Sequence, residues 1–222
     1  MVGYAAYALI QAALAVVAIR LYRRRPSVGA FALILPTAAV VWDNAIIALG
    51  ARIGDGPLLV GLSWPRFVGH ALLTPIWIIT GVAYARRAGV TWLERAWVQP
   101  AQWVLYAVCV IFGVLRSVVF LTMEPVWEGG AFYYANAGTF PGPPIGSVVM
   151  LLVVFACAIP VWRLTAWPWM FVGSAFMLVA ALVRVPALGS LLQNLGEVVM
   201  AACLVATEWY LSRRTRPVVR PT

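Results

Sequence analysis

Apolar residues in this chain do not alternate with polar ones; they run on for about 20 residues at a time, the length that crosses a bilayer as a helix. Seven such runs fall at 2–20, 28–50, 64–85, 100–122, 145–163, 167–186 and 188–211. Each predicts a transmembrane helix. Together they predict an all-α, polytopic seven-transmembrane-helix bundle with one domain over residues 1–222. The first run lacks a basic leader and a clear cleavage site, so it reads as a true span rather than a signal peptide.

The stretches between the runs alternate in charge. "RLYRRR" (20–25), "ARR" (85–87) with Arg95, Arg163 and the tail "RRTRPVVR" fall to one side. "ARIGDGP" (51–57), the long "MEPVWEGGAFYYANAGTFPGPP" (123–144) and the turn near Pro186 fall to the other. Basic loops stay cytoplasmic, which predicts the N-terminus outside and the C-terminus inside. Residues 88–99, "AGVTWLERAWVQ", read as an inner interfacial segment with tryptophans at headgroup level. The 123–144 segment fits either a lid over an outward cavity or a solvated connection.

Composition agrees with the membrane reading. The 222 residues are 64% hydrophobic and 10% charged, and mean hydropathy is +0.92, far from a soluble domain. Sixteen basic residues against seven acidic give a net charge of +9. The basic residues sit between apolar spans and not in one solvated patch, which argues against nucleic-acid binding. All sixteen are arginines; without a lysine amine no retinal Schiff base can form. Cys109, Cys157 and Cys203 lie singly in apolar runs and read as small core residues. His70 is the sole histidine, so no multi-histidine metal site exists, and neither metal nor cofactor is expected. The lysine-free, Ala/Val/Arg-rich composition points to a bacterial source and its cytoplasmic membrane.

Polar residues inside the runs carry the functional reading. In "VWDNAIIALG" (41–50) the carboxylate of Asp43 costs about 3 kcal/mol at bilayer depth, and such residues are usually functional. At 1.5 Å per residue Asp43 lies about 10 Å below the outer end of its span. Arg66 and His70, one turn apart on one face, reach a similar depth. Arg116 lies about 9 Å deep, and Gln193, Asn194 and Glu197 cluster on the last span, with Glu197 about 13 Å deep. Arg184 ends the sixth span at the outer boundary, so five of the seven spans send polar groups to the outer half of the bilayer, predicting a polar chamber in that layer. The inner half carries almost none before its arginines begin. Trp42 and Trp77 are candidate cavity walls, as is the fourth-span stripe Gln102, Tyr106, Cys109, Gly113, Arg116. The same residues also suit plain architecture: Asp43 with Arg66 or Arg116, and Glu197 with Arg184, are potential helix-pinning ion pairs.

An aromatic-lined, water-poor site with isolated acids suits proton-initiated chemistry on an apolar substrate. Low dielectric disfavours a charged carboxyl, whereas an adjacent arginine favours it; an acid that keeps its proton serves as a general acid. Aromatic faces stabilise cations.

Seven short spans, "VWDN" in the second and "QNLGEV" in the seventh resemble the integral-membrane terpene cyclases, both the fungal meroterpenoid cyclases and the bacterial drimentine type. The resemblance implies a membrane-embedded, metal-free cyclase that protonates the terminal alkene or epoxide of a prenylated substrate entering from the bilayer. It implies Asp43 and Glu197 as the acid pair. The fungal pattern has glutamate in the second span and aspartate in the seventh; here the two are exchanged. Membrane lycopene cyclases share a similar Trp-Asp feature. Around the acids, Trp42, Asn44, Arg66, His70, Trp77, Tyr106, Arg116 and Asn194 are the expected substrate-binding residues. No DDxxD-like run, DxDD, P-loop, GxSxG or HExxH motif occurs. Two other classes use similar residues. A small transporter or a proton or anion channel employs intramembrane acids and arginines, although no run looks interrupted near its middle. A lipid-headgroup enzyme would clamp phosphate with Arg66, Arg116 and Arg184.

Overall fold

The computed structural model describes residues 2–140, 144–183, 185 and 188–214. Long helices dominate: α1 (Val2–Arg24), α2 (Val28–Ile53), α3 (Pro57–Leu72), α4 (Trp77–Ala88), α5 (Val98–Val114), α6 (Ile145–Thr165), α7 (Trp169–Leu182) and α8 (Leu191–Arg213). Among the described residues six helical segments are long and apolar enough to cross a membrane, with α3 and α4 forming one segment of 32 residues. The helix α7 is shorter, at 14 residues.

Three departures from the expected layout have local causes. The third segment begins at Pro57, not 64, because proline suits a helix's first turn, where its missing N–H is not needed. That segment is also broken. A 3-10 turn over Thr74–Ile76 separates α3 from α4, so the expectation of uninterrupted spans is corrected. Pro75 sits in the turn and cannot donate to a helical ladder. Carbonyls freed there find side-chain donors: the Thr74 hydroxyl donates to His70 O at 2.6 Å, and the Tyr106 hydroxyl to Leu72 O at 3.1 Å.

The second departure is the hairpin β1 (Met123–Glu128) and β2 (Ala131–Asn136), which makes the protein not purely α. Glu128 pairs with Ala131 across a two-residue turn. Gly129 and Gly130 both have positive φ, 58° and 71°, as a type I′ turn requires. The third is a π turn over Leu115–Val119 at the end of α5.

The central core joins α1, α2, α4, α6, α7 and α8 through Leu21, Leu33, Trp77, Val154, Met170 and Leu204. Helix α5 is peripheral; only 11% of its apolar stretch is buried. It touches the bundle where side chains are smallest. A Cβ on Gly113 would come within 2.9 Å of Ala71 O, and one on Gly146 within 2.6 Å of Cys109 O.

The hairpin folds onto the bundle end that holds the loops after α2 and before α8. A Cβ on Gly50 would lie 1.9 Å from Phe132 O, so only glycine lets the strand approach α2 this closely. Ala131, Phe132, Tyr133 and Tyr134 are buried. The Tyr134 hydroxyl bonds Asp55, and the hydroxyls of Tyr4 and Tyr133 meet Ser190. The strands of this segment thus pack against the bundle end, with Phe132, Tyr133 and Tyr134 buried. The arginines that end α1, α4 and α8 gather at the opposite end, where Arg25 bonds Ser212 O and Arg86 donates to Leu93 O. The segment after α4 carries a 3-10 turn over Thr91–Glu94, with Trp92 and Trp97 exposed.

A candidate proton-transfer site beneath the hairpin

Helices α2, α3 and α8 bring six polar residues together under β2. The centre is Asp43, 4% exposed. Arg66 Nε donates to Asp43 Oδ1 at 2.8 Å, and Arg66 Nη1 to the backbone carbonyl of Tyr134 at 3.1 Å. The guanidinium lies 5.5 Å from the Phe67 ring centroid and 5.6 Å from that of Tyr133, so aromatic faces supplement its hydrogen bonds. The hairpin therefore acts on the site directly, through a main-chain oxygen.

Asn194 on α8 closes the far side. Its Nδ2 reaches Asn44 Oδ1 at 2.9 Å and Asp43 Oδ2 at 3.3 Å. Asn44 in turn donates to Val40 O at 3.1 Å, back along its own helix.

His70 stands between two carboxylates. Its Nε2 is 3.7 Å from Asp43 Oδ1, and its Nδ1 is 4.0 Å from Glu197 Oε1. These are ion-pair distances, longer than hydrogen bonds. The two acids differ in company. Asp43 has a guanidinium and an amide, while Glu197 Oε2 is buried with no hydrogen-bond partner among the described residues.

A cavity of about 50 Å³ adjoins His70, lined by Phe112, Arg116, Ser117, Phe140 and Ile145. At about 30 Å³ per water it admits one or two waters and no prenyl group. Asp43 and Glu197 stand behind His70 and do not line it. The roomier hollow, about 280 Å³, lies further along the same crevice between α4, α5 and α6, walled by Ile78, Trp92, Leu105, Val153 and Cys157.

Of the expected residues, Asp43, Asn44, Arg66, His70, Asn194 and Glu197 come together, and Arg116 shares the small cavity with His70. Three others do not join. Trp42 is 41% exposed and its indole donates to Leu62 O at 3.2 Å, away from the Asp43 cluster. Trp77 is in the central core because the turn at Thr74–Ile76 resets the helical phase after His70. Tyr106 serves the break itself. Arg184 lies outside the described residues.

The sequence reading passed over Tyr133, Ser190 and Glu208. The hairpin had a signal in "EGGAFYYAN", a Gly-Gly pair ahead of an aromatic strand. Glu208 had one too: it stands eleven residues after Glu197, three helical turns on the same face. It is fully buried and pairs with Arg87 at 2.6 Å.

No protein-family model matches this chain, and no curated protein matches it.

Proposed function

We propose that the chain is a seven-span protein of the bacterial cytoplasmic membrane, with its N-terminus and hairpin outside and its arginine-rich end inside. In this reading α7, at 14 residues, is the sixth and shortest of the seven spans. The arginines at one end support this orientation.

Within that frame, the proposed activity is a metal-free, proton-initiated cyclisation of a prenylated substrate drawn from the bilayer, as in the terpene cyclases the sequence resembles. One observation carries it: two carboxylates flank the single histidine beneath a capped end, one paired with arginine and the other with a free oxygen. Asp43, its charge matched by Arg66, stays an anion and holds His70. Glu197 in its acid form gives the proton, through His70 or directly, to the terminal alkene or epoxide. The carbocation then closes onto a ring double bond and loses a proton to a carboxylate. Phe112 and Phe140 present aromatic faces beside His70.

Room for the substrate comes from displacing α5, the least buried span, which joins the small cavity to the apolar hollow beyond it. Glycine-sized contacts and a π turn mark the seat of α5 at this point. The test is mass spectrometry of products from the purified full chain fed geranylated and farnesylated aromatics. Cyclised product that disappears in Glu197→Gln supports the reading; no cyclised product from the wild type overturns it.

The broken third segment favours a second reading, since discontinuous spans build transporter sites. Against it, the α8 face between Glu197 and Glu208 carries buried Ala201 and Leu204, which interrupt a polar path. Substrate-linked proton flux in proteoliposomes would select the transporter.

A further inference from the structure

The opposite end of the molecule holds a second polar structure that the proposed chemistry does not use. A hollow of about 240 Å³ is lined by Arg25, Ser27, Arg87, Ser212 and Arg214. An adjoining one of about 200 Å³ brings in Arg24 and Arg213. Five guanidinium groups thus surround two neighbouring hollows.

The floor is organised by Glu208, fully buried. Arg87 Nη1 donates to Glu208 Oε2 at 2.6 Å, and Ser27 Oγ to Glu208 Oε1 at 3.4 Å. That acid answers the charge of Arg87 and leaves the charges of Arg24, Arg25, Arg213 and Arg214 in excess. Their positions are not those of charges spreading apart. Arg25 is tied to Ser212 O. Arg213 lies over the Trp209 ring at 4.0 Å, and Arg214 over Tyr210 at 5.5 Å. Such cation–π contacts hold the heads against the wall of the hollow. Ser27 also begins α2, accepting from Ala30 N at 3.1 Å, so the positive end of a 26-residue helix adds to the field.

We propose that this hollow binds a phosphate group, with Arg25 and Arg214 as its direct ligands and Arg87 fixed beneath them by Glu208. Arginine's planar fork matches phosphate oxygens in pairs. The volume takes roughly eight waters at about 30 Å³ each, enough for a phosphate or diphosphate with part of its hydration. A lipid headgroup and a soluble phosphate ester present the same chemistry here, and the experiment separates them.

The full-length protein in detergent is titrated with inorganic diphosphate at constant ionic strength, reading thermal stability. In parallel, nanodiscs of phosphatidylcholine alone and with phosphatidylglycerol are compared by the same readout. Stabilisation by diphosphate assigns a soluble ligand; stabilisation by phosphatidylglycerol alone assigns a lipid headgroup. In either case Arg214→Gln weakens binding about tenfold, the loss of one charge-assisted contact. Arg25→Gln with Arg214→Gln abolishes it. The control is Arg20→Gln with Arg163→Gln, which removes equal charge from the same end without touching the hollow and leaves binding intact. Arg214→Gln alone decides the matter if the double variant does not fold. The proposal is overturned if neither probe stabilises the protein, or if the control loses as much affinity as the hollow's own variants.

Discussion

Arg66 on α3 and Asp43 on α2 form an ion pair at 2.8 Å with 6% of each side chain exposed. No other acid lies within ion-pair distance of that guanidinium among the described residues, and its Nη1 donates to the hairpin's backbone. A buried pair of this kind is costly to break from one side and cheaper to remove whole. Asp43→Asn leaves Arg66 uncompensated and is expected to cost about 3–5 kcal/mol, with loss of turnover. Asp43→Asn combined with Arg66→Gln recovers much of the stability and none of the activity. Thermal denaturation of the two singles and the double measures the coupling. Additive losses would show that the pair does not act as a unit.

Glu197 behaves differently because its Oε2 has no hydrogen-bond partner to lose among the described residues. Glu197→Gln keeps the volume and removes the proton. Thermal stability is expected to hold while kcat falls roughly 10²–10⁴-fold, the range for a lost general acid. A fall in stability as large as that of Asp43→Asn, with product formation intact, would make Glu197 structural.

The hairpin's seat on α2 rests on Gly50. In Gly50→Ala the new methyl meets Phe132 O, a backbone atom that cannot rotate away. Overpacking of this sort costs about 1–3 kcal/mol, and here it lifts the strand that bonds Arg66. The expected signs are a lower midpoint and faster protease cutting within 123–136. An unchanged digestion pattern would detach the hairpin from the site.

Alkaline pH tests the same seat. Burial pushes the Tyr133 hydroxyl up to about 12 from its ordinary 10.0, and the neighbouring Glu128 carboxylate adds to the rise. Between those values the folded form binds more protons than the unfolded one, so stability falls as pH climbs through the window. Below pH 10 the contribution is complete and flat. Tyr133→Phe should remove that part of the alkaline loss, read as the difference in midpoint between variant and wild type at pH 9 and pH 11. Parallel curves for the two proteins would contradict it.

Much of the bundle is legible along the chain because hydropathy is a local sum. A run of about 20 apolar residues crosses a bilayer whatever its neighbours are. The described arginines that end α1, α4 and α8 therefore fall at one end of the structure. Prolines are less informative. Pro75 accompanies a break, but Pro36, Pro65 and Pro160 sit inside continuous helices. The difference is that the turn at Thr74–Ile76 has Thr74 and Tyr106 to satisfy its carbonyls, and Tyr106 comes from another helix.

Depth was likewise readable, since residue rise along a helix is constant; hence Asp43, Arg66, His70 and Glu197 meet in one layer. Which pairs form was not. Asp43 had Arg66 and Arg116 as rival partners, and the choice follows from helix rotation, set by packing such as Gly113 on Ala71. The chain alone determined where long apolar segments run, where charge gathers and at what level the buried acids lie. Tertiary structure alone decided that a hairpin main chain completes the arginine's bonding, that Trp42 faces outward, and that His70 sits between the two carboxylates. Those outcomes depend on contacts between segments far apart in sequence, which no local sum of hydropathy or spacing contains.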